Sequence, residues 1–254
     1  MKRYLFVQAL LLGAWLAMAA GDLPPQSKPL DPEEATKQGR SLAEKILAQK
    51  PEQHFTNSGV LRIRNDGKRV EIPVNFEIFT SPTNSNWSSF YYAYRSNRIE
   101  QLIIANGVDF PNSSYFYDSN YHFPEPIGRQ LTAEEITSPF AGSDFWLCDL
   151  GLKFFHWPEQ KLLKSELRKT RLCRVLESIN PLPATNAYSR VVSWIDDESR
   201  GILHAEAYDS QNKLLKEFDT KKFKQVKGEW QLEQMEIYNV QTRSRTQIEF
   251  NFDQ

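Results

Sequence analysis

The most constraining feature of this chain is a strict two-residue period. Val70, Ile72, Val74, Phe76 and Ile78 alternate with Glu71, Pro73, Asn75 and Glu77. Near the C-terminus, Thr246, Ile248, Phe250 and Phe252 alternate with Arg245, Gln247, Glu249 and Asn251. Side chains change sides at each residue of a strand, so each run predicts a strand with one dry face and one wet face. Upstream, Leu61 and Ile63 alternate with Arg62 and Arg64, and Asn65-Asp66-Gly67-Lys68 carries the Asp-Gly signal of a two-residue hairpin. Further strands are expected at 171–178, 188–195, 201–208, 213–226, 229–239 and 244–252, with Phe90–Tyr94 and Ile99–Ala105 in the first half. The expectation is mainly β: one large, curved antiparallel sheet or unclosed barrel of about 10–11 strands, with an N-terminal helix and a short helical lid.

The helix is signalled by Asp31-Pro32-Glu33-Glu34, which offers an N-cap, a proline at the first helical position and acid in the first turn. It should run to about Gln49 and stop before Pro51, with a narrow apolar stripe of Ala35, Leu42, Ile46 and Leu47 laid on a sheet. Residues 106–142 are rich in Asn, Pro and Ser and read as a long irregular connection that covers a site. The aromatic segment after it holds Phe145, Trp146, Phe154, Phe155 and Trp157. It reads either as core that plugs the barrel mouth or as a lid at a cavity entrance.

Residues 1–20 have the layout of a secretory signal: Lys2 and Arg3, an apolar run from Tyr4 to Leu16, then small residues. No cysteine follows that could be acylated, so a soluble mature chain is expected, with 21–30 an extended leader and 31–254 a single domain. Loss of Lys2 and Arg3 takes the formal charge from −1 to −3, which gives no general attraction for nucleic acid. Cys148 and Cys173 are the only cysteines; in an exported protein a disulfide contributing about 3 kcal/mol is expected, with two buried thiols as the competing reading. His54, His122, His156 and His204 lie at no metal-ligand spacing, and there is no nucleophile elbow or phosphate loop. Neither a metal, a cofactor nor a catalytic residue is expected. The basic run from Lys161 to Arg174 reads as a solvated face, with a headgroup site as the competing reading.

Gly142-Ser143-Asp144-Phe145…Asp149-Leu150, followed by Trp194-Ile195-Asp196, Tyr208-Asp209, Leu214-Leu215-Lys216, Gly228-Glu229-Trp230, Met235 and Thr246, resembles the outer-membrane lipoprotein-sorting proteins of the LolA/LolB type. The resemblance spans roughly residues 33–254. It implies an unclosed antiparallel barrel lidded by helices over an apolar cavity that takes lipoprotein acyl chains without chemistry. It also implies a monomer in the periplasm that collects cargo from an inner-membrane releasing transporter and passes it to an outer-membrane acceptor. The competing expectation is a lipid-sensing or scaffold module that binds a protein partner; an envelope hydrolase is a distant third. On the alternation, the cavity wall is expected from Val70, Ile72, Val74, Phe76, Ile78, Ile248 and Phe250, with Phe145 and Trp146 at the lid. A carboxylate placed at Phe76 would then be solvated.

Two departures stand out. The family's Arg-Pro pair after the second strand, whose arginine latches the lid, is matched only by Ser81-Pro82. Cys148 stands where the family has Glu before Asp-Leu.

Overall fold

The Asp66-Gly67 turn shows how the sheet is seeded. Both residues have positive φ (46° and 74°), the conformation whose twist matches that of paired strands, and Asn65 pairs with Lys68 across it. In this computed structural model the described residues are Leu12–Gly13, 30–51, 54–81, 85–107, 109–122, 128–226 and 229–251. The signal segment and leader lie outside them apart from Leu12, Gly13 and Leu30.

Strand β1 (Leu12–Gly13) pairs with the start of β13 and stands off the main path. A first meander comprises β2 (Phe55–Asn65), β3 (Lys68–Thr80), β4 (Trp87–Arg95), β5 (Arg98–Gly107), β6 (Phe110–Tyr121) and the short β7 (Arg129–Gln130). A second comprises β8 (Glu159–Arg168), β9 (Arg171–Ile179), β10 (Arg190–Asp196), β11 (Ile202–Tyr208), β12 (Leu214–Val226), β13 (Glu229–Asn239) and β14 (Arg245–Asn251). Antiparallel pairing of β14 with β2 joins them, giving the order β7-β6-β5-β4-β3-β2-β14-β13-β12-β11-β10-β9-β8. The sheet is not closed into a barrel. Its free ends are β7 and β8, and the chain between them crosses the apolar face.

Four strands exceed the sequence expectation: β1, β6, β7 and β8. β6 occupies part of the stretch read as an irregular connection. Asn112, Ser119 and Asn120 are exposed, Ser113 and Ser114 are half-buried, and Tyr115 is buried at 3% exposed. β8 holds the first half of the basic run; as the terminal strand it carries Lys and Arg without burying them, a usual way to protect a sheet edge.

Helix α1 (Pro32–Leu47) begins as expected. Asp31 accepts from the Glu33 and Glu34 amides at 3.0 and 3.5 Å, and Leu42, Ala43 and Ile46 are buried. It packs on β8 so closely that a Cβ on Gly39 would come 2.6 Å from the Gln160 carbonyl oxygen and the Lys161 nitrogen. Only glycine permits that approach.

The expected disulfide is absent, because Cys148 and Cys173 are free, buried thiols. Cys148 lies in the main core with the crossing segment. Cys173 packs with Val175, Val192, Trp194 and Leu203 in a second cluster. Along β9, Cys173 and Val175 point away from Leu176, which belongs to the main core, so the sheet itself separates the two sulfurs.

Candidate functional site

Between β7 and β8 the chain lays three 3-10 turns (Glu135–Thr137, Phe140–Gly142, Lys153–His156) and α2 (Leu147–Leu150) across the sheet. Phe140, Phe145, Leu147 and Phe155 are each at most 2% exposed. The segment is therefore core and cover at once.

Buried polar groups fix it at four points. Glu100, 2% exposed on β5, accepts from the Ala141 amide at 3.0 Å and the Tyr117 hydroxyl at 2.6 Å, while Arg95 donates to the Ala141 carbonyl at 3.1 Å. Arg95 and Arg98 balance the Glu100 charge at 3.4 and 3.0 Å. This clamp grips both backbone groups of a non-glycine residue held at φ 52°, a conformation that costs about 1–2 kcal/mol unless surroundings impose it. Next, the Asp144 amide donates to Thr246 Oγ1 (2.9 Å), whose hydroxyl donates to Asp144 Oδ2 (2.8 Å), and the Ser244 hydroxyl donates to Oδ1. Third, the Gln160 side-chain amide donates to the Phe154 and Trp157 carbonyls, each at 3.0 Å. Finally, the Tyr91 hydroxyl donates to the Leu150 carbonyl at 3.1 Å.

Under this cover, over the second meander, lies an apolar cavity. Its walls include Val191 on β10, Ile202, Ala205 and Ala207 on β11, Phe218 on β12, and Met235 and Ile237 on β13. Its roof includes Phe145, Leu150, Leu152, Phe154 and Tyr188. The cavity itself holds about 50 Å³, and the space reaches about 530 Å³ only when the open solvent at its mouth is counted. Ala205 and Ala207 are the reason for it: where neighbouring strands place larger side chains, β11 places two methyl groups.

Asp149 and Lys216 are the charged residues lining this cavity. Lys216 is 2% exposed; its Nζ donates to the Asp144 carbonyl at 2.7 Å, stands 3.5 Å from Asp149 Oδ2, and lies 3.6 Å from the centre of the Trp146 ring. Trp146 in turn stacks on Tyr188 at 4.4 Å. Asp149 Oδ2 also accepts from the Trp146 amide (2.8 Å) and the Tyr188 hydroxyl (3.2 Å). Burial pushes the Asp149 carboxyl up and the Lys216 ammonium down, each opposed by the other's charge. Burial also raises the Cys148 thiol well above its usual range, so it is an inert core group.

The residues expected to wall the cavity lie elsewhere with one exception. Phe145 lines it. Trp146 is half-buried and packs over Lys216. Ile72, Val74, Phe76, Ile78 and Ile248 are buried, Phe250 packs 5.2 Å from Phe76, and Val70 is 49% exposed at its strand end. What sequence reasoning missed is the wall of β10 to β13 and the buried charges Glu100 and Lys216. A signal was present: Ala205 and Ala207 keep the two-residue period with side chains no larger than a methyl group.

Several residues that carried the family resemblance converge here. Asp144 binds Thr246, Asp149 faces Lys216, and Phe145, Leu150 and Met235 line the cavity. Among the described residues, no group of three or more His, Cys, Asp or Glu side chains is placed to hold a metal, and no helix is long and apolar enough to cross a membrane.

Known proteins share this fold. The chain is similar in structure to a DUF1329 family protein from Desulfovibrio piger ATCC 29098, with a TM-score of 0.69 and 17% identity over 86% of this chain and 92% of that one. It is similar to an outer membrane lipoprotein-sorting protein domain from Vibrio parahaemolyticus (TM-score 0.64, 17% identity, 85% and 91% covered). It is similar also to a LolA superfamily protein from Nitrosomonas europaea (TM-score 0.56, 15% identity, 85% and 91% covered). No curated protein matches the sequence. A family model described as "-like: Uncharacterized protein" matches residues 113–252, more than half of the chain. The chain belongs to that family, and its fold is the one shared by the LolA superfamily and the outer membrane lipoprotein-sorting domains.

Proposed function

We propose that this protein is a non-catalytic carrier that holds an acyl chain, or another lipid-like ligand, in the cavity between the crossing segment and strands β10 to β13. In this reading it works as a soluble periplasmic monomer. It takes acylated lipoprotein or lipid from an inner-membrane releasing transporter and delivers it to an outer-membrane acceptor. The observation that carries the reading is the apolar cavity walled by Ala205 and Ala207, open under a segment held by a few discrete polar clamps. Each methylene moved from water into such a slot contributes about 0.8 kcal/mol, so a carrier needs a shielded space and no covalent chemistry. Displacement of the segment at the Glu100 or Asp144 clamp is the step that admits a chain longer than the resting cavity.

One observation favours the second reading, a sensing or scaffold module: Phe140, Leu147 and Phe155 already fill much of the apolar face, leaving limited room without movement. Titration with a fluorescent acyl probe separates the two. The carrier reading expects saturable binding at micromolar concentration, abolished by Ala207→Trp in a protein that remains folded. Absence of saturable binding by the parent protein would overturn it.

A further inference from the structure

An apolar cavity that serves only hydrocarbon has no use for a charge in its wall, yet Lys216 and Asp149 both face this one. The pair is net neutral wherever its shared proton resides. As an ammonium Lys216 has three N–H donors; it makes a short hydrogen bond to the Asp144 carbonyl and a longer one to Asp149 Oδ2 at 3.5 Å, and it lies against the faces of the Trp146 and Tyr188 rings. One of the three donors thus meets ring faces and no oxygen acceptor.

We propose that the cavity has a polar end at Lys216 that selects ligands with an uncharged carbonyl head, an ester or amide, over both bare hydrocarbon and free carboxylate. This inference rests on the carrier reading and adds to it the chemistry of the chain end. The carbonyl oxygen accepts from Lys216 Nζ, and no proton or bond changes hands. A carboxylate is disfavoured because Asp149 already supplies the counter-charge, so a second anion enters a buried site with nothing to balance it. Hydrocarbon is disfavoured because it displaces any solvent from Lys216 and returns no acceptor.

The test is competition against a bound fluorescent acyl probe by methyl palmitate, palmitate and hexadecane, at neutral pH with the full-length mature protein. The expected order is methyl palmitate tightest, with about a tenfold advantage over each of the others, the size of one hydrogen bond to a charged donor. In the double variant Asp149→Asn/Lys216→Met, which keeps the site neutral and its volume similar, the advantage over hexadecane should vanish while hexadecane binding persists. Equal binding of methyl palmitate and hexadecane to the parent protein, or palmitate binding tightest, would overturn the selectivity and leave the carrier reading intact. Failure of all three to displace the probe, or of the probe to bind, would overturn both. If the double variant does not fold, Lys216→Arg supplies the second measurement: it retains the charge and must retain the preference for the ester.

Discussion

The two meanders follow one pattern and end in different interiors. In β2 to β6 the apolar face carries large side chains that meet the crossing segment directly. Phe76 packs edge-on against Tyr91 at 5.3 Å, and Tyr91 against Phe140 at 6.3 Å. Tyr91, Ile78, Leu102 and Ile104 are each at most 1% exposed. In β10 to β13 the same face has Ala205 and Ala207 opposite the segment, and a cavity remains. Alternation decides which side chains face inward; their volumes, summed with those of whatever lies opposite, decide whether that interior is core or container.

The strongest way to break this comparison is a charge in the filled half. The alternation alone predicts a carboxylate at position 76 solvated at a cavity wall, but the ring of Phe76 is 6% exposed between Tyr91 and Phe250. Phe76→Glu should therefore destabilise by several kcal/mol, with chemical denaturation showing loss of the folded baseline. A native-like midpoint would mean the first half also contains accessible space.

A matched pair of enlargements sharpens the contrast. Ala93 on β4 is 0% exposed in the filled half, so Ala93→Leu should cost about 1–3 kcal/mol through overpacking. Ala207→Leu puts the same added atoms into the cavity; its stability should change by no more than about 0.5 kcal/mol, with acyl-probe binding lost. Equal costs at the two sites would remove the distinction between the halves.

A smaller effect distinguishes two carboxyls whose acidities shift in opposite directions. On the other face of the sheet, burial would raise Asp219, but the hydrogen bond and charge of His204, with Lys221 and Lys169, hold it down to about 2. Its folded value is below the unfolded one of about 3.9, so it contributes stability that is complete above about pH 4 and is lost as pH falls toward about 2. Asp149 is raised, so it works against the folded state at neutral pH, and that penalty disappears as pH falls through its raised value. Urea midpoints across pH 2–5 should decline less steeply in Asp219→Asn than in the parent. Identical slopes would show that Asp219 gains nothing on folding.

The smallest expected effect is none. With Cys148 and Cys173 on opposite sides of the sheet, a reducing agent should leave the melting temperature unchanged, and both thiols should react with an alkylating reagent only after unfolding. A fall in melting temperature on reduction would place the two sulfurs together after all.

The sequence by itself determined the strands with one wet face, the hairpin at Asp66-Gly67 and the capped start of α1, because each rests on neighbours within a few residues. It also held, in order along the chain, the residues of the lipoprotein-sorting resemblance. Tertiary structure alone decided that Asp144 meets Thr246 and that Lys216 is drawn 3.5 Å from Asp149 across the crossing segment. It decided too that the cysteines stand apart and that the cavity lies over β10 to β13 instead of β3 and β14. These are contacts between residues 67 or more positions apart, or differences in how much volume meets across a gap. A period of two names the inward face, but it carries no record of what that face will touch.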